Sequence, residues 1–140
     1  MAITINKTVP TGDGERNWIY ITVNVDGDDC KFEHTAPKDL SGDDLQSYVD
    51  GREDFYKREL LRNMYGGADC YDSSLEDFES WVSDGCKNAE VKVEDGDGNE
   101  IVIKAEETIS KKAWVDAEPP VDQASLIADL QAKVEALENA

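Results

Sequence analysis

The stretch WIYITVNVDGDDCKFEH, residues 18–34, decides the fold. Ile19, Ile21, Val23 and Val25 alternate with Trp18, Tyr20, Thr22 and Asn24, the two-residue period of a β-strand. Asp26 and Gly27 follow, a dipeptide suited to the positive backbone angles of a tight two-residue turn. Folding the chain back about that turn sets Cys30 opposite Val23, Phe32 opposite Ile21 and His34 opposite Ile19. One face of this hairpin is consistently apolar. A slip of one residue would turn that face outward, so the pattern specifies its own register.

Working outward, residues 3–9 alternate more weakly and predict a preceding strand, joined through the turn at Thr11, Gly12, Asp13 and Gly14. Downstream, Ser41 with Asp44 three residues on forms a capping-box variant ahead of a helical stripe. The stripe comprises Leu45, Tyr48, Val49, Phe55, Tyr56 and Leu60, interrupted near Gly51 and stopped by Gly66 and Gly67. Lys57, Arg58 and Arg62 fall in its C-terminal half, where they complement the helix dipole and make the one concentrated positive surface. Ser73 or Ser74 caps a second, short helix with Leu75, Phe78, Trp81 and Val82 on one side, ending at Gly85. Residues 91–103 read as a hairpin about a turn at 95–99, and residues 109–115, carrying Trp114, as a last strand. The predicted class is α+β, an antiparallel sheet of hairpins with two helices packed on one face.

At residues 116–120 two prolines in an acidic stretch favour a stiff, extended joint. The predicted organisation is an α+β domain over 1–115, a Pro-containing linker over 116–121 and an amphipathic heptad helix over 122–140, with Asp122 available as a cap. Ile127, Leu130, Val134 and Leu137 occupy a, d, a and d positions, and Lys133 and Glu138 fall at g and the following e. That spacing permits a salt bridge between parallel chains. An isolated helix of about 16 residues is marginal in water and leaves its seam uncovered, so a C-terminal coiled coil with a second chain is expected. Ile and Val at a with Leu at d lean toward a dimer, with a trimer as the alternative; the competing arrangement docks the helix on its own domain.

The 140 residues carry 32 acidic and 14 basic side chains, a net charge of −18. Leu, Ile, Val and Phe number 30, about 21%, close to the level at which highly charged chains stay disordered. Folding therefore rests on the patterning described above. So negative a surface repels phosphate, which argues against direct binding of nucleic acid or an anionic membrane. No run of 18 apolar residues exists and the opening residues lack signal-peptide character, so a cytoplasmic protein is expected. Cys30, Cys70 and Cys86 show no metal-ligand spacing and are expected as reduced thiols.

Cys30 and His34 share a strand face, but four strand residues span about 13 Å, beyond the reach of a nucleophile and its base. The chain has one histidine and no glycine-rich phosphate loop, nucleophile elbow or HExxH. Neither catalysis nor a cofactor is expected. Asp95, Asp97, Asn99 and Glu106 fall at positions 1, 3, 5 and 12 of an EF-hand-like loop, the spacing of a weak calcium site. Glu100 stands where that loop needs glycine, which favours a solvated hairpin turn. Residues 67–107 hold 13 acids and 3 bases, a net of −10. Such an array can mimic nucleic-acid phosphates and inhibit a DNA-binding protein, although a merely solvated surface has the same statistics.

A small acidic domain, a proline joint and the terminal segment SLIADLQAKVEALE, residues 125–138, together resemble the accessory tail, baseplate or fibre-region proteins of tailed bacteriophages. The detailed resemblance covers about the last 20 residues and carries over no functional site. It implies a non-enzymatic role in a virion or its assembly, with the heptads joining copies or docking on a fibre. The expected function is thus a structural or interaction protein, an oligomeric component of a larger assembly, with itself or that assembly as partner.

Overall fold

The computed structural model describes residues 3–120 and 123–138. Its centre is a three-stranded antiparallel sheet of β1 (Thr4–Pro10), β2 (Arg16–Val25) and β3 (Asp28–Pro37), in that spatial order. Across β2 and β3, Val23 pairs with Cys30, Ile21 with Phe32 and Ile19 with His34, the register that the alternation requires. Asp26 and Gly27 have φ of 54° and 84°, so both central turn residues lie in the left-handed region that matches strand twist. Asp13 organises the other turn. Its Oδ1 accepts bonds from the Thr11 hydroxyl at 2.7 Å and from the Glu15 and Arg16 amides, and these hold its carboxyl below the ordinary range.

The interrupted first helix is two helices, α1 (Gly42–Asp50) and α2 (Glu53–Met64), so three rather than two helices precede the second hairpin. The break is local: the Arg52 amide bonds the Val49 carbonyl three residues back, tightening the last turn before the helix restarts. Ser41 is the N-cap of α1, but its side chain makes no capping bond, so no capping box forms. Tertiary bonds hold α1 instead. Gln46 Nε2 donates to the Ile3 carbonyl at 2.8 Å, and Asp50 Oδ1 accepts the Ile3 amide at 3.1 Å. α3 (Leu75–Ser83) is capped by Ser74, whose hydroxyl accepts the Asp77 amide, and it ends in a Schellman turn. There Cys86 N–H bonds Trp81 O and Gly85, at φ 105°, bonds Val82 O.

The core lies between one sheet face and the helices. Ile19, Ile21, Val23 and Val25 of β2 with Cys30 and Ala36 of β3 meet Val49, Tyr56, Leu60, Leu61 and Met64, and Phe78 and Trp81 of α3 complete the cluster. The expected positive surface is largely neutralised. Lys57 pairs with Glu53 at 3.2 Å, and Arg62 pairs with Glu59 at 2.8 Å and Asp72 at 3.7 Å.

Beyond α3 the structure departs from a single sheet. β4 (Lys87–Asn88) pairs with β7 (Glu107–Thr108), while β5 (Val91–Glu94) pairs with β6 (Glu100–Lys104), and neither pair joins β1–β3. The second hairpin stands on a short neck, with both of its strands exposed throughout. Residues 109–115 are not a strand. They run as a strap whose bonds go to scattered acceptors: Ile109 N–H to Cys86 O, Lys112 N–H to Met64 O and Trp114 Nε1 to Lys31 O. Asp116 Oδ1 accepts the Lys31 amide at 3.0 Å and the Ala117 amide donates to Lys31 O at 2.9 Å, so the start of the expected 116–121 linker is tied to β3. Acceptors on three different elements preclude the regular ladder that a strand needs. α4 (Gln123–Glu138) follows; the expected cap, Asp122, lies outside the described residues. No helix among the described residues is long and apolar enough to cross a membrane.

One buried phenol links this packing to pH. Tyr65 donates to Asp26 Oδ2 at 3.3 Å, and burial is the main reason its pKa is pushed up from 10.0 to about 12. The folded chain therefore holds a proton that the unfolded chain has already lost. That contribution to stability is complete below pH 10 and disappears as the pH rises toward 12. Denaturant melts across this range should show falling stability for the natural chain and a shallower fall for Tyr65→Phe. Equal slopes would remove Tyr65 as a source.

Candidate functional site

On α4, Leu130, Val134 and Leu137 follow one another at spacings of four and three, which puts them on one helical face. They are 52–78% exposed. Ile127, the first position of the expected seam, has a side chain outside the described residues. Lys133 and Glu138 are both exposed.

The four oxygen donors of the EF-hand-like pattern are not brought together. Asp95 Oδ1 accepts the amides of Asp97 and Asn99, each at 2.9 Å, and these bonds hold its carboxyl below the ordinary range. Asp95 thereby closes the hairpin turn. Glu106 lies past the far end of β6, facing Lys87 at 4.0 Å. Among the described residues no group of three or more His, Cys, Asp or Glu is placed to hold a metal ion.

Cys30 is buried, and burial pushes its thiol pKa up, as it does for Cys70. Phe32 stands between Cys30 and His34 in sequence, and its ring stacks on His34 with centroids 5.9 Å apart. Phe55 meets the imidazole edge-on, with centroids 5.4 Å apart. The histidine is part of an aromatic cluster that also includes Tyr56 and Trp114. A cleft of about 280 Å³ between the end of β2, α2 and α3 carries Asp26, Lys57 and Glu79 at its polar wall, with Leu61 and Val82 beneath. Lys57 is already committed to Glu53 there.

Between residues 67 and 107, twelve of the 13 acidic residues are exposed and only Asp95 is half-buried. Glu76, Asp77 and Glu79 lie on the outer side of α3, while Phe78 and Trp81 face the core. Lys92 is drawn to Glu90 at 3.3 Å and Glu100 at 3.6 Å, which tempers the charge of the hairpin.

The surface that sequence reading missed is on that hairpin. Val93 and Ile101 are directly paired and Val91 lies on their side, but a register shift sets Val91 opposite Lys104 and leaves Ile103 without a partner in the ladder. All four are 41–61% exposed. Alternating Val and Ile signal a shared face, but the letters do not reveal whether anything lies over it.

Fold and surfaces together define an acidic protein of mixed helices and antiparallel sheets, whose uncovered apolar faces stand outside its core on the second hairpin and on α4. No family model matches the chain, and comparisons with curated proteins and with solved structures found no significant match.

Proposed function

We propose that the chain is a non-enzymatic interaction protein that joins copies of itself, as a dimer or trimer, or attaches to a larger assembly such as a phage tail or fibre, through the α4 seam. The supporting observation is the exposure of Leu130, Val134 and Leu137 on one face of a helix that follows a proline joint. Apolar groups in this pattern release free energy when a second helix covers them, and a helix of this length gains most of its stability from such packing. Light scattering should give the full chain a mass two or three times that of a chain ending at Pro119. Leu130→Ser in the full chain should reproduce the loss, whereas Lys133→Ala, at an exposed position, should shift association by under about 1 kcal/mol. Equal monomeric masses for the full and shortened chains would remove self-association by the tail.

A second reading is favoured by the density of exposed carboxylates between residues 67 and 107. It makes the chain an inhibitor that occupies the basic groove of a DNA-binding protein by mimicking phosphates. Binding would be salt-sensitive and competitive with DNA; failure to displace DNA from basic nucleases or polymerases at low salt counts against it.

A further inference from the structure

We propose that residues 116–120, most of the expected linker, are a clasp: they wrap around the outer edge of β3, dock over Tyr20 on the face of the sheet away from the helices, and fix the point from which the tail leaves the domain. The clasp involves a single chain and does not depend on what α4 binds.

The face follows from the register. Tyr20 is paired with Lys7 on one side and Glu33 on the other, and Trp18 with Val9 and Thr35. Strand alternation turns these side chains away from Ile19 and Ile21, which lie in the core, and so away from α1–α3. Tyr20 is nevertheless only 6% exposed, and it stands outside the core cluster. Trp18, two residues before it on the same face, is 38% exposed. A cover therefore lies over the tyrosine and leaves the tryptophan open.

The path of the chain supplies that cover. Trp114 belongs to the core side of the sheet, with its ring centroid 6.1 Å from that of Phe32. At the edge, Trp114 Nε1 and the Ala117 amide both donate to the Lys31 carbonyl at 2.9 Å, and Asp116 Oδ1 accepts the Lys31 amide at 3.0 Å. On the outer face, Lys7 Nζ donates to the Pro120 carbonyl at 3.2 Å. The segment thus starts beside β3 and ends at a side chain of β1, with Tyr20 of β2 between them. Three residues of extended chain cover about 10 Å, which matches two strand spacings of roughly 4.8 Å each. Ala117 and Pro119 are half-buried while Asp116, Glu118 and Pro120 are exposed, the alternation of a segment with one side against a surface.

The residue types suit the contact. Proline rings dock on aromatic side chains at low entropic cost, because the ring has already fixed φ. Asp116 and Glu118 bring negative charge to a path flanked by Lys7 and by Lys31, which pairs with Thr22 on the same face. α4 begins three residues after Pro120, so the tail departs from the β1 side of the outer face.

Nuclear magnetic resonance of the full chain tests the clasp. The Tyr20 ring protons should show cross-peaks to Pro119, and the Ala117 amide should exchange at least about tenfold more slowly than in an unfolded chain. Pro119→Gly removes the ring and loosens the backbone, whereas Lys7→Met removes the donor and keeps the length of the side chain. Each should speed Ala117 exchange about threefold or more while leaving the Ile21 amide, inside the sheet, within about twofold of its natural rate. Absence of the Tyr20–Pro119 cross-peaks overturns the clasp, as does an Ala117 amide that exchanges at the unfolded rate or responds to neither variant. None of these readouts measures mass, so loss of the clasp leaves the reading of α4 standing, and a monomeric natural chain leaves the clasp standing.

Discussion

Asn88→Ala is expected to destabilise the protein by about 3 kcal/mol, a large share of the roughly 5–15 kcal/mol available to a domain. Asn88 is the one buried polar side chain among the described residues, and both ends of its amide are used. Nδ2 donates to the Gly67 carbonyl at 2.8 Å, and Oδ1 accepts the Asp69 amide at 2.7 Å. Asp69 in turn accepts the Ala89 amide at 3.0 Å. The side chain thus fastens the loop after α2 to β4. Alanine would strip a part-buried carbonyl and amide of their partners, at about 1–3 kcal/mol for each group. Urea melts followed by tryptophan fluorescence should show a lower midpoint with an unchanged slope. A loss well under 1 kcal/mol would mean that water replaces the amide and that the loop is not held in this way.

The largest effect belongs to Phe78→Ala, expected at about 3–5 kcal/mol. Phe78 is fully buried, its ring centroid 5.6 Å from that of Trp81 and 6.4 Å from that of Tyr65. α3 has nine residues, too few to persist by backbone bonding alone, so this anchor decides whether it stays on α2. Removing the ring takes away its transfer free energy and opens a cavity that two large aromatic neighbours fill poorly. Phe78→Leu, which restores most of the volume, should recover more than half of the loss. Similar losses for both variants would argue against cavity formation as the cause.

The hairpin of β2 and β3 was legible to the residue because its information is local: a period of two, a turn dipeptide and one apolar face leave a single register. The helical stripes were legible for the same reason, and Leu45, Val49, Tyr56, Leu60, Phe78 and Trp81 are all buried. Gly51 marked the interruption, but whether a helix bends or restarts depends on backbone bonds that the letters do not specify. β4 and β7 escaped notice because two-residue strands have no period; Lys87 finds Thr108 only once the chain between them has folded. Residues 109–115 looked like a strand because Ile109 and Trp114 seek the core, a demand that an irregular strap meets equally well. For the candidate site, that Leu130, Val134 and Leu137 share one helical face could be read from their spacing, whereas the exposure of the hairpin's Val and Ile side chains could not. Spacing tells which side chains are neighbours, and only the assembled chain tells what else is near.

The strap also bears on the order of events during synthesis. The outward amide and carbonyl of Lys31 are both taken by residues made more than 80 positions later, Asp116 for the amide and Trp114 and Ala117 for the carbonyl. A growing chain can complete β1–β3 and its helices while this edge of β3 is still open to stray strands. The edge closes only as the strap emerges, just ahead of the tail. A nascent chain thus acquires its guard against wrong pairing immediately before α4 is made.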